Sequence, residues 1–143
     1  MRLAVFDTNV IVSAGIRPGA PPATLVMDWA LEGQIQLVTC PSIVAEYLTV
    51  VRRAKYFRYR FPPQWLEFLI DESLHLPDPP PWPHPLPDPA DAPFLALSHA
   101  SGAWLVTGNL RHFPASANQG VTVLSPAEYL RRLTPSNPAP PIL

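Results

Sequence analysis

The 143-residue chain is 48% hydrophobic and 15% charged, with a formal net charge of -1; this fits one folded domain and excludes a disordered chain or a globally basic nucleic-acid binder. A single cysteine, Cys40, cannot close an internal disulfide, and no apolar stretch approaches the ~20 residues of a membrane span. With no signal-peptide pattern at Met1-Arg2-Leu3 either, a soluble cytoplasmic protein is expected.

In chain order, Arg2 to Phe6 is a near-continuous apolar run, as in a strand covered on both faces of a parallel sheet. Pro21 to Glu32 has helical spacing, with Pro22 in the first turn and Gly33 closing it. Ile35 to Val38 reads as a second strand. Pro41 to Arg53 places Ile43, Val44, Tyr47, Leu48, Val50 and Val51 on one helical stripe with Glu46 at its border, and Pro62 to Leu74 is a further amphipathic helix. Nine of the 21 prolines lie between Pro77 and Pro93, which forbids helix and predicts a stiff connector inside one domain. Phe94 to Ser101 follows as a helix ending at Gly102, then strands at Trp104 to Val106 and Val121 to Leu124. Ser125-Pro126-Ala127-Glu128 is a capping-box helix start. The alternation predicts a three-layer α/β/α domain with a parallel sheet of four or five short strands over residues 1–133, and a proline-rich tail at 134–143.

In such sheets side chains converge where strands end and helices begin. The polar residues there are Asp7, Thr8 and Asn9 after the first strand and Thr107, Gly108 and Asn109 after the third, with Asp88 and Asp91 entering the helix between and Glu46 leaning toward the same edge. Crowded carboxylates call for a cation, and oxygen donors without cysteine or clustered histidine point to Mg²⁺ or Mn²⁺. Plainer roles compete. Asp7, Asp88 and Asp91 all sit where helix N-caps sit, and Glu46 has the alternative of a solvated helix position. His112 is expected on the surface, and Cys40 as a buried inert thiol. Trp65 and Tyr129 are candidates for an exposed apolar dimer seam.

Taken together, VFDTNV at residues 5–10, PSIVAEYLTVV at 41–51, DPADAPFLALS at 88–98 and LVTGNLRHF at 105–113 resemble the PIN-domain ribonucleases, above all the branch of toxin components of toxin–antitoxin pairs related to the VapC toxins. The resemblance implies a metal-dependent endoribonuclease acting on single-stranded RNA, often a homodimer, with a cognate antitoxin. It makes Asp7, Glu46 and Asp91 the first three acids of the site, with Asp88 a neighbouring acid. Asp7 and Asp91 would bind metal directly and Glu46 through water or as base. Ser13, Asn9, Thr107 and Asn109 would support them by ordering waters or the phosphate. Asn109 stands where many PIN domains place a fourth acid, so it offers an amide but no charge.

Five of the ten basic residues, Arg52, Arg53, Lys55, Arg58 and Arg60, cluster between two helices, interleaved with Tyr56, Phe57 and Tyr59. Cations for phosphate and rings for unpaired bases make this the candidate RNA-binding segment; a solvated helix end is the plain alternative. Two other functions remain open from sequence: a PIN fold that has lost catalysis and serves as an RNA-binding or dimerisation module, and a haloacid-dehalogenase-like phosphatase, against which Asn9 stands where its second aspartate belongs.

Overall fold

The computed structural model describes residues 2–133; the expected tail, 134–143, lies outside the described residues. Five strands, β1 (Arg2–Phe6), β2 (Ile35–Thr39), β3 (Leu74–His75), β4 (Trp104–Val106) and β5 (Val123–Leu124), form one parallel sheet in the order β3-β2-β1-β4-β5. Helices flank it: α1 (Thr8–Ile16), α2 (Pro21–Ala23), α3 (Pro41–Val51), α4 (Gln64–Asp71), α5 (Ala92–Ser101), α6 (Ala115–Asn118) and α7 (Pro126–Leu133). The arrangement is the three-layer α/β/α fold expected from the alternation of elements. None of the helices among the described residues is long and apolar enough to cross a membrane.

The central strand explains its own composition. Ala4, Val5 and Phe6 are fully buried: β2 and β4 pair along the two edges of the strand and α1 and α5 pack on it, so it has no room for a polar residue. The two edges are kept to two residues each, which leaves little unpaired backbone to template aggregation. α5 is buried on all sides over Phe94 to Ser98 and packs across β1, β2 and β4, which is why its sequence lacks an amphipathic face.

Three local features depart from the sequence expectation. α1 starts one residue after β1 with Asp7 at its N-cap position, as the plain reading of Asp7 has it, but on a Val10-Ile11-Val12 run that carries no helical period. The region after α2 continues as a π-helical stretch, Thr24–Ala30, in which Leu31 N–H donates to the Val26 carbonyl at 2.9 Å, five residues back. The helix expected to run to Leu74 stops at Asp71, and Leu74–His75 instead pairs with Val38 and Thr39.

The proline segment is a strap pinned by its few non-proline residues. Leu76 N–H donates to the Thr39 carbonyl at 2.9 Å, and Trp82 Nε1–H to the Ala117 carbonyl at 3.0 Å. Asp78 accepts from the backbone N–H of Ser42 at 3.0 Å, capping the start of α3, where the side chain of Cys40 at the N-cap position reaches Ser42 Oγ but caps no backbone N–H. Cys40 is buried, and burial pushes its thiol up. At the other end of the fold Ser125 Oγ accepts from Glu128 N–H at 3.2 Å, the expected cap of α7. Tyr129, expected exposed, is fully buried, because α7 lays its ring edge-on against Trp104 with centroids 5.9 Å apart. That removes it from any dimer seam; Trp65 remains half-buried.

α1 also fixes a close approach. The ring of Phe61, itself buried and packed on Tyr56 and Tyr59, lies over Gly15 where a Cβ would stand. Gly→Ala inside a helix ordinarily gains about 0.5–1 kcal/mol, but overpacking costs about 1–3 kcal/mol, so the clash wins. Gly15→Ala is expected to lower the urea midpoint of unfolding with an unchanged slope.

Candidate metal site

With the strand order β3-β2-β1-β4-β5, the chain winds outward in both directions from the β1/β4 pair, and the carboxyl ends of those two strands open the crevice where such sheets bind ligands. Asp7 and Thr107 are the first residues past these ends. The ladder runs one step further through Asp7 N–H to the Val106 carbonyl, at 2.9 Å, which holds Asp7 at the mouth.

Asp7 is only 4% exposed and hydrogen-bonded at both carboxylate oxygens. Oδ1 accepts from Thr8 N–H at 2.7 Å; Oδ2 accepts from Thr107 Oγ1–H at 2.8 Å and from Asn9 Nδ2–H at 3.2 Å. Asn9 is held in turn by Gly108, whose N–H donates to Asn9 Oδ1 at 2.8 Å. A Cβ on Gly108 would lie 3.2 Å from that oxygen, so glycine keeps this approach open. Thr107 Oγ1 also accepts from Asn109 N–H at 3.0 Å. The two strand ends are thus laced together by side chains around one carboxylate.

Glu46 comes from the border of the α3 stripe. Its Oε2 accepts a short hydrogen bond from Thr8 Oγ1, which draws it to the start of α1. The neighbouring Tyr47 is fully buried, and its hydroxyl donates to the carbonyl of Phe6, tying α3 to the end of β1.

Asp88 and Asp91 part company despite their similar sequence settings. Asp88 does what an N-cap does: its Oδ1 accepts from Ala90 N–H at 3.0 Å at the head of the turn Pro89–Asp91, and it is exposed. Asp91 occupies the position before α5 yet makes no capping bond. It is 9% exposed, and its Oδ2 is a buried oxygen without a hydrogen-bond partner among the described residues. His112 Nδ1 stands 2.9 Å from it as an ion-pair contact that lacks hydrogen-bond alignment. His112 lies in the short turn Leu110–His112, and its Nε2 is 2.9 Å from the side-chain amide nitrogen of Asn109. Donor atoms of Asp88, Asp91 and His112 all fall within 4.8 Å of one another.

The carboxylates share one electrostatic field. Burial first, and the charge of Asp91 after it, push Asp7 up to about 6 against the pull of the Thr107 hydroxyl. Burial also raises Glu46, with Asp7 and Asp88 adding to the rise and the Thr8 bond and Arg53 opposing it. Asp91 is raised by burial and by Asp88 and Glu46, against His112. Concentrated negative charge, a buried unsatisfied oxygen and a donor set of oxygens with one imidazole nitrogen fit a divalent cation.

Of the residues named from sequence, Asp7, Asn9, Glu46, Asp88, Asp91, Thr107 and Asn109 gather at this edge. Ser13 lies one helical turn beyond Asn9 on the same face of α1 and makes no side-chain hydrogen bond among the described residues. His112 is the member that sequence placed on the surface. The basic segment forms the turn Ala54–Tyr59 and its flanks, with Arg52, Arg53, Lys55, Arg58 and Arg60 all exposed. Lys55 lies over Tyr56 at 5.1 Å and Arg58 over Tyr59 at 4.7 Å, and Phe57 stands 59% exposed. The charge of Arg53 acts on Glu46, opposing its rise.

A PIN domain family model matches residues 3–111. Among solved structures, FitAcB from Neisseria gonorrhoeae is similar at 20% identity and TM-score 0.56, over 87% of this chain and 98% of that one. FitAB bound to an IR36 DNA fragment is similar at 21% identity and TM-score 0.56, over 86% of this chain and 94% of that one. VapBC2 from Rickettsia felis, bound to a DNA fragment from their promoter, is similar at 12% identity and TM-score 0.60, over 86% and 98%. No curated protein matches the sequence.

Proposed function

The chain belongs to the PIN-domain family, and on that premise we propose that it is a divalent-metal-dependent endoribonuclease cutting single-stranded RNA, the toxin of a toxin–antitoxin pair. The observation that carries the reading is Asp91: a largely buried carboxylate that forgoes its capping bond and, clustered with Asp88 and His112, leaves Oδ2 without an aligned hydrogen bond. Leaving a charged oxygen in that state costs free energy unless a ligand completes it.

Asp7 and Asp91 would hold the ion, with Glu46 and Asp88 beside them; when bound, the ion supplies an acidified water and neutralises phosphate charge. The chain's own residues set the stage for that chemistry. Thr107, Asn9 and Thr8 fix the carboxylate of Asp7 by three hydrogen bonds, so little reorganisation remains when substrate arrives. Glu46 stands across from Asp7 as the base or as holder of a water. Asn109 contributes a polar amide to phosphate or water without adding charge. Arg52, Arg53, Lys55, Arg58 and Arg60 neutralise the backbone of the strand, and the exposed Phe57 offers a face on which a base can stack. Likeness to FitAB and VapBC2 supports the toxin reading, which brings an antitoxin that covers this edge, and a homodimer.

The test is incubation of a mixed single-stranded RNA pool with the protein in Mg²⁺, in Mn²⁺ and in chelator, mapping the new ends. Cleavage confined to the metal-containing reactions is expected. Asn109, in place of a fourth acid, favours one second reading, a PIN module that binds RNA without cutting it. No cleavage in either metal would replace the nuclease with that module.

A further inference from the structure

From the geometry around Asp91 we propose that His112 is itself a ligand of the site's cation, through Nδ1, and that the site consequently selects Mn²⁺ over Mg²⁺. The inference rests on the metal-binding reading above and goes beyond it, since it replaces an all-oxygen site by one with a nitrogen donor.

Three observations carry it. The first is spacing. His112 Nδ1 and Asp91 Oδ2 are 2.9 Å apart, and two donors at right angles on an octahedral ion with ~2.1 Å bonds stand roughly 3.0 Å apart. A hydrogen bond would give the same distance, but it would also satisfy Oδ2, and Oδ2 is unsatisfied. The two atoms are in contact without meeting as aligned donor and acceptor, as two ligands of one ion would be. The second is convergence: Asp88 brings a further oxygen, so that one donor atom from each of the three residues lies within 4.8 Å of the others.

The third is Asn109. Its side-chain amide lies against His112 Nε2 at 2.9 Å. Oxygen and nitrogen of that amide exchange by a half-turn of the group. With the oxygen toward the ring, Asn109 accepts from Nε2–H and leaves Nδ1 with its lone pair facing Asp91, the arrangement by which metal-bound histidines are oriented. Asn109 is then the positioning residue for the donor that takes over from a fourth carboxylate. Imidazole nitrogen suits transition ions, whereas Mg²⁺ prefers oxygen and water, so adding this donor shifts selectivity toward Mn²⁺.

The other histidines are committed elsewhere: His75 lies against Thr39, while His84 and His99 pack on Trp82. A nitrogen on the metal is therefore assignable. Pulsed electron paramagnetic resonance of the Mn²⁺-loaded protein, read alongside Mn²⁺ and Mg²⁺ titrations without RNA, tests the assignment. Wild type is expected to show imidazole ¹⁴N modulation of the Mn²⁺ signal. His112→Gln, which retains an oxygen donor on a half-exposed side chain, is expected to lose the modulation and at least about tenfold in Mn²⁺ affinity, with Mg²⁺ affinity affected less and circular dichroism unchanged. Bound Mn²⁺ without nitrogen modulation in wild type, or modulation that survives in His112→Gln, overturns the histidine ligand and leaves the nuclease reading standing. Failure of wild type to bind Mn²⁺ at millimolar concentration overturns both.

Discussion

Asp7→Asn is expected to abolish divalent-dependent RNA cleavage, by about a thousandfold or more, while leaving the protein folded. The magnitude follows from what the carboxylate does. A bound metal contributes several kcal/mol of transition-state stabilisation, and each ~1.4 kcal/mol is tenfold in rate, so loss of a direct, buried anionic ligand removes on the order of three powers of ten. The fold survives because the amide fits the same space. One amide oxygen still accepts from Thr8 N–H, and the amide nitrogen can donate to Thr107 Oγ1, which reorients its own hydroxyl, at the cost of the longer bond from Asn9. Initial rates on a fluorescent single-stranded RNA in Mg²⁺ and Mn²⁺, with circular dichroism as the folding control, provide the check. A folded Asp7→Asn protein that cuts at the wild-type rate would remove Asp7 from the metal site and the crevice from the reaction.

How far the sequence discloses such a site depends on whether local pattern or long-range contact decides each residue's place. β1 and α5 are legible because total burial forces continuous apolar composition, and the strand-end position of Asp7 and Thr107 follows from that. α1 is not legible, because Val10, Ile11 and Val12 are poor helix formers whose helical state is imposed by packing against the sheet and neighbouring helices. Two residues of β3 carry no period; β2 alone selects them. Asp88 and Asp91 have the same local grammar, an acid shortly before a proline-led helical turn, and only the folded chain gives one the cap and the other the crevice. The role of His112 had a faint trace. Asn109 and His112 are three apart, and in a 3₁₀ turn residues at that spacing eclipse one another. The turn itself, however, could not be told from a loop.

The buried acid proposed to hold the ion should also weaken the metal-free protein, and in a direction that pH reveals. Burial and the charge of Asp91 hold Asp7 at about 6 against an ordinary value of 3.8. A folded state with the higher value binds the proton more tightly than the unfolded chain. The stabilisation from that proton is complete below about pH 4 and disappears as pH rises through 6. At ~1.4 kcal/mol for each unit of pH, the metal-free protein gives up about 3 kcal/mol between these limits from Asp7 alone. Glu46 and Asp91, both raised by burial first, shift the same way. Asp7→Asn has no such charge to bury, so in chelator at pH 7 it should melt above wild type, by up to on the order of 10 °C, and the gap should close as pH falls to 4. Mn²⁺ should raise the melting temperature of wild type at pH 7, because it binds only the folded state, and should raise that of Asp7→Asn by less, since the donors of Asp88, Asp91 and His112 remain. Thermal melts of both proteins from pH 4 to 8, with and without Mn²⁺, decide the matter. A metal-free wild type as stable at pH 7 as Asp7→Asn would mean that Asp7 carries no uncompensated charge, and with it would go the physical reason for a cation in the crevice.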